Sequence, residues 1–232
     1  MRPLSAATIL SIWERGATRR PVDRAALLTA WARPDIPPAA VGDLSLGTVT
    51  RALLDLRIAT FGPRLSVVVD CESCGEGLEL TLDAPALVDP APQPAGEIRI
   101  GDWRVRPPSL ADLAAIDGET DTERAVRGLL ARCLVAGNGG AVDAATLHEI
   151  EAALDAREPD ADLSMRVACV ACGHENVADL DLGALLWEEI AVSARQLLGD
   201  VHRLACAYGW SEAEILDLSP ARRAAYLAMV TE

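Results

Sequence analysis

The chain has 232 residues, with 35 acidic residues against 21 basic ones, every base an Arg, for a net charge of −14 at pH 7. Half of the residues are apolar and only 3% are aromatic. That apolar content excludes a disordered tail. The acidity argues against a nucleic-acid binder held by a general basic surface, and no apolar run reaches the roughly 18 residues of a membrane span. The length suits one large domain or two small ones. Near the start, an apolar stretch of about eight residues meets Glu14 and Arg15 at once, so a secretory signal is not expected. The expected setting is therefore cytoplasmic, where paired cysteines are metal ligands more often than disulfides.

Residues 1–60 read as N-terminal helices. Ser5 caps a first helix that carries Ile9, Leu10 and Trp13 and stops at Gly16. Pro21 opens a second, with Leu27, Leu28 and Trp31 on its apolar face. Ser45 caps a third, in which Leu46, Val49, Leu53 and Leu56 recur at helical spacing. Trp13, Trp31 and Trp187 are all expected in the core.

Residues 61–107 hold the first half of a ribbon and a hairpin. LSVVVD is β-branched and extended, Cys71-Glu72-Ser73-Cys74 interrupts it, and GLELTL alternates apolar and polar. A Pro/Ala linker at 85–96 leads to a hairpin turning at Gly101-Asp102.

Residues 108–158 form a helical insert. Ser109 with Asp112, Thr120 with Glu123 and Thr146 with Glu149 are spaced as capping boxes, and GNGG at 137–140 is a loop. Residues 159–182 repeat the strand–CxxC–strand unit around Cys169-Val170-Ala171-Cys172.

Residues 183–232 are C-terminal helices. Leu186, Ile190, Leu197, Val201, Leu204 and Tyr208 share one face, and Gly209 ends that helix. Glu188 and Glu189 near its start and Arg203 near its end suit the helix dipole. Ser211 and Glu214 form a capping box, Trp210 and Ile215 a hydrophobic staple, and Ser219-Pro220 starts a last helix.

Cys71, Cys74, Cys169 and Cys172 carry the chemistry. A CxxC turn between strands presents two thiolates, and two such turns close a tetrahedron with no open position for water, so the site is structural. Gly75 and Gly173 let the chain double back beneath the ion. One structural zinc ion per chain is expected, contributing on the order of 10 kcal/mol of folding free energy; four thiolates also suit iron. His174 is a lesser candidate for one ligand position. A redox CxxC stands before a helix in a βαβ unit, which neither pair does. Cys133 and Cys206 are expected as buried apolar fillers, and His148 and His202 as surface or partly buried residues. No Ser/His/Asp set, phosphate loop or HExxH is present, so neither an enzyme nor a small-molecule substrate is expected. The fold class is mainly α with a small β zinc ribbon: two split strand–CxxC–strand hairpins joined to N-terminal, inserted and C-terminal helices.

Net charge by segment is +3 over 1–60, −4 over 61–107, −6 over 108–158 and −7 over 159–232. A nucleic-acid-binding zinc ribbon, such as a transcription regulator, is the alternative reading, and the negative ribbon segments oppose it. Trp210, Arg222, Arg223 and Tyr226, near the C-terminal turn, are candidate partner contacts, since Trp, Tyr and Arg form interface hot spots.

Over nearly its whole length the chain resembles the T-even-type phage baseplate proteins of contractile tails and related contractile injection systems. The residues concerned are LSAATILSIWERG, RALLDLRIATFG, the unit at Cys71–Gly75, WRVRPPSLADL, RGLLARCLVAG, DADLSMRVACVACGH, LWEEI and LLGDVHRLACAYGWSEAEILDLSPARRAAYL. The last is the most specific. One departure is Glu72 or Val170 after the first Cys of each pair, where Pro is common; it leaves the ligands intact. The resemblance implies a baseplate hub component or hub assembly chaperone, whose partners are other baseplate or hub proteins and which has no enzymatic activity.

Overall fold

The computed structural model describes residues 2–88, 96–137 and 142–230. Three N-terminal helices come first: α1 (Ala6–Gly16), α2 (Pro21–Ala32) and α3 (Leu46–Phe61). The Ser5 hydroxyl accepts the Thr8 amide at the start of α1, and Pro21 occupies the first turn of α2. At the start of α3 the Ser45 hydroxyl meets Thr48 Oγ1, 3.0 Å away, in place of a backbone amide.

The antiparallel hairpin β1 (Arg64–Asp70) and β2 (Gly77–Asp83) follows α3. The insert then brings β3 (Ile98–Ile100), β4 (Trp103–Val105), α4 (Leu110–Ile116), α5 (Thr122–Cys133), β5 (Leu134–Ala136) and α6 (Ala144–Arg157). A second hairpin, β6 (Ser164–Ala168) with β7 (Glu175–Asp179), leads into α7 (Leu182–Tyr208), α8 (Glu212–Asp217) and α9 (Pro220–Val230). The protein is thus mainly helical with small antiparallel sheets. The linker at 85–96 begins as a short 3₁₀ turn, Ala84–Leu87, and its residues 89–95 lie outside the described residues, as do 138–140 of the GNGG loop.

The main core is helical. Ile12, Leu28, Leu56, Leu186 and Ile190, from α1, α2, α3 and α7, have at most 1% of their surface exposed and pack as one cluster. Leu54, Leu65, Val67 and Leu182 form a second cluster, which seats the base of the first hairpin against α3 and α7. The insert has its own small core of Val105, Cys133 and Ile150. It is tied back where the Leu46 amide donates to Pro108 O and the Leu110 amide to Leu44 O.

Several features depart from the sequence reading, some through non-local contacts and some through a competing local cap. β5 falls within an expected helical run. Leu134 and Ala136 pair with Val105 and Arg104 on the free edge of β4, more than 25 positions back. Helix α5 is capped by Asp121 rather than Thr120, and α6 by Asp143 rather than Thr146; in both, a carboxylate accepts the amide three residues on. Helix α7 begins at Leu182, capped by Asp181, so Glu188 and Glu189 lie beyond its first turn and Arg203 before its last. Glu189 instead pairs with Arg57, which is 4% exposed, through contacts of 2.7 and 3.1 Å. Trp31 is 40% exposed, as is Tyr208, whereas Trp187 is buried.

Trp187 depends on Gly16. A Cβ on Gly16 would lie 2.4 Å from Trp187 Cζ3 and 2.5 Å from Cη2, while the Arg24 guanidinium covers the same ring 4.4 Å from its centre. Gly16→Ala gains about 1 kcal/mol of helix propensity but forces a buried indole to move. It is expected to destabilise the protein by about 1–2 kcal/mol net, read as a lower denaturant midpoint with an unchanged slope.

Candidate metal centre

Two turns of the same shape build the site. In the first, Cys71 N–H donates to Glu76 O (2.9 Å) and Gly75 N–H to Cys71 O (2.8 Å). In the second, Cys169 N–H donates to His174 O (2.8 Å) and Gly173 N–H to Cys169 O (2.9 Å). Gly75 and Gly173 adopt φ of 74° and 75°, the left-handed conformation that glycine takes without a Cβ penalty.

The hairpin tips face each other. Cys71 Sγ lies 3.7 Å from Cys172 Sγ, and Cys74 Sγ 3.7 Å from Cys169 Sγ. All four sulfurs lie within 4.8 Å of one another. A tetrahedron with metal–sulfur bonds of about 2.3 Å has edges of about 3.8 Å, so the four sulfurs fit around one ion. Cys71 and Cys169 are buried with Leu78 and Val167, while Cys74 and Cys172 are exposed. His174 is exposed and lies outside the cluster.

The electrostatics also favour an ion. At Cys71, desolvation opposes the thiolate, but the amides of Cys74 and Ser73 and the sulfurs of Cys169 and Cys172 outweigh it and bring the thiol down to about 6. At Cys74 the Glu76 amide favours the thiolate, yet Cys172, desolvation and the remaining sulfurs push the thiol up to about 12. Cys71 and Cys74 are thus driven in opposite directions; a dication between them would supply positive charge and draw off the protons.

Asn176 is the residue that sequence reasoning missed. It is 2% exposed. Its Oδ1 accepts the Glu72 amide of the opposite turn at 3.0 Å, and its Nδ2 donates to His174 O and Val167 O. It therefore bridges the two hairpins beside the sulfurs and orients the turns that carry them. The signal was an inward-facing polar residue in an alternating strand, where Leu78 sits in the first hairpin.

The other two cysteines part ways. Cys133 is 1% exposed, and burial, with the charge of Asp112 nearby, pushes its thiol up to about 11; it is an apolar filler. Cys206 is not one: it is exposed on α7, its sulfur 4.0 Å from His202 Nδ1, because it falls on the helix face opposite Leu204. His148 is exposed.

At the C-terminal turn, Trp210 stacks on Tyr208 with ring centres 4.7 Å apart and meets Tyr226 edge-on at 4.9 Å. Trp210 and Tyr226 are half-buried and Arg222 is exposed. Arg223 turns inward and is 9% exposed, so it is not part of the open surface. No described helix is long and apolar enough to cross a membrane. Comparison of the chain with protein-family models, curated proteins and solved structures finds no match.

Proposed function

We propose that this chain is a non-enzymatic structural or assembly protein of a contractile, phage tail-like particle, acting at its baseplate or hub. In this reading its four cysteines hold one structural zinc ion. The observation that carries the structural role is the closed sulfur tetrahedron, which leaves an ion no open position for water or substrate. It joins two turns whose nearest cysteines lie 95 positions apart in the chain, so one ion fixes the insert between the N-terminal and C-terminal helices. The resemblance in the C-terminal segment carries the assignment to a contractile particle. The half-buried Trp210 and Tyr226 with the exposed Arg222 then form a docking face for neighbouring baseplate proteins.

The test is to follow the tagged chain through particle assembly in its native host. Recovery with purified sheath–tube particles marks a component, and recovery only with baseplate intermediates marks a chaperone. Absence from both, or salt-sensitive DNA binding by the purified protein, contradicts the proposal.

A further inference from the structure

Away from the cysteines, two open hollows of about 450 and 280 Å³ adjoin across the start of α7. Ala25, Leu110, Leu113, Asp181 and Gly183 line both. Val22 and Ile116 extend the apolar wall of the larger, between α2 and the end of α4. Leu46, Leu163 and Leu180 extend that of the smaller, against α3 and the base of the second hairpin. These five side chains are half-buried, so the trough is apolar surface that the fold leaves partly open.

The charge along these walls is one-sided. Asp117, Glu119, Asp181 and Glu188 line the larger hollow, and Asp162 and Asp179 join Asp181 in the smaller. The base in the lining is Arg24, and it is already committed. Its Nε donates to Gly16 O at 2.9 Å and its Nη2 to Ala17 O at 3.0 Å, with the guanidinium over the Trp187 ring. Asp117 and Glu119 are met by Arg20 and Arg124, at 3.2 and 3.1 Å, and Asp181 caps α7. Asp162, Asp179 and Glu188 are exposed and make no ion pair among the described residues. These carboxylates do not converge on a point: among the described residues, the group close enough together to hold a metal ion is the four cysteines.

We propose that this trough docks a basic, apolar peptide segment of another protein, with aliphatic side chains in the two hollows and Arg or Lys beside the carboxylates. Charge complementarity selects the occupant. An acidic segment would meet six carboxylates and no uncommitted base. A metal ion would need carboxylates that converge, and a small organic cation would leave the apolar walls uncovered. A segment whose cations flank its apolar residues satisfies both features. The carboxylates stay wet, so they select the partner, while burial of the aliphatic side chains supplies most of the affinity. The trough lies apart from the face at Trp210, and the proposal does not depend on the baseplate reading.

The experiment is an amide NMR titration of the full chain at low salt, watching Leu113, Ile116, Leu163 and Gly183. The probes are N-acetyl-Arg-Leu-Leu-Arg amide and its Gln-Leu-Leu-Gln and Arg-Gly-Gly-Arg counterparts. The first is expected to shift these resonances saturably. The glutamine peptide should bind about three- to thirtyfold more weakly, and the glycine peptide at least about tenfold more weakly. Combining Asp162→Asn, Asp179→Asn and Glu188→Gln should erase the difference between the arginine and glutamine peptides. Ala184→Arg, at an exposed position in the wall of the larger hollow, should block both. Equal binding of the arginine and glutamine peptides by the wild-type chain overturns the proposal, and so does equal binding of the glycine peptide. These wild-type comparisons stand whether or not the variants fold. A difference that survives the triple variant, binding that survives Ala184→Arg, or no saturable shift up to about 10 mM peptide also overturns it. So does a free chain that is dimeric by light scattering and whose four resonances move on dilution, which assigns the trough to a second copy. The titration uses no particle, so its failure leaves the particle-recovery result unaffected.

Discussion

Chelation of the proposed ion, or replacement of Cys74 by Ser, is expected to unlock both hairpin tips while the helical core stays folded. The reason is how the apolar contacts are divided. The ribbon tips share a cluster of only Cys71, Leu78 and Cys169 with Val167, too little to hold two turns together. The helices α1, α2, α3 and α7 share a large separate core. A structural ion contributes most of the folding free energy where no sufficient core exists. Hydrogen exchange reads this directly. Protection at the amides of Cys71, Gly75, Cys169 and Gly173, and of Glu72 on Asn176, should fall on the order of a thousandfold or more. Amides in the middle of α3 and α7 should keep theirs. Unchanged protection at the tips, or equal loss throughout the helices, contradicts the division.

The second large effect is at Asp112, which is 1% exposed. It accepts Arg106 Nη1 and Nη2 at 2.6 and 3.0 Å, Arg132 Nε at 2.9 Å, and the Ser109 amide and hydroxyl, each at 2.9 Å. The Ser109 hydroxyl accepts the Asp112 amide in return, which completes the cap of α4. One carboxylate thereby locks α4, α5 and the segment after β4. Removing one partner of a buried ion pair costs about 3–5 kcal/mol. Arg106 and Arg132 are 37% and 44% exposed and can turn to water, so Asp112→Asn is placed at about 3 kcal/mol.

The pH dependence has a definite sign. Arg106 above all, against desolvation and helped by Ser109 and Arg132, holds the Asp112 carboxyl well below the usual carboxylate range. Its contribution is therefore complete above the unfolded value of about 3.9 and is lost as pH falls towards the lower folded value. The gap in unfolding free energy between wild type and Asp112→Asn should narrow on acidification below that value. Taking the difference removes the acid release of an ion held by the cysteines, which both proteins would share. A gap that is absent at pH 7, or that widens in acid, counts against the network.

What was legible in the sequence was what local chemistry decides. Both CxxC turns with their glycines, the caps at Ser5, Ser109 and Ser211, and the left-handed stop at Gly209 each depend on residues a few positions apart. Most of what escaped depends on partners far along the chain, the caps at Asp121 and Asp143 being the local exceptions. β5 exists because β4 offers an edge, and Arg57 is buried because Glu189 meets it. Arg223 turns inward because Asp200 is one helix away. Asn176 bridges the turns only once the two hairpins face each other, so alternation could mark it as inward-facing but not name the Glu72 amide as its partner. The exposure of Cys206 and Trp31 follows from which helix face the core takes, and composition says nothing of that.

The central claim is that Cys71, Cys74, Cys169 and Cys172 enclose one ion between the two hairpins. The most direct measurement is titration of the reduced, metal-free chain with Co²⁺, followed by absorption and then by displacement with Zn²⁺. The expected result is sulfur-to-metal charge transfer with intense tetrahedral d–d bands, an end-point at one ion per chain and full displacement by zinc, with Cys74→Ser weakening the bands and changing their shape. Weak octahedral bands, an end-point other than one, or a Cys74→Ser spectrum identical to wild type would contradict it.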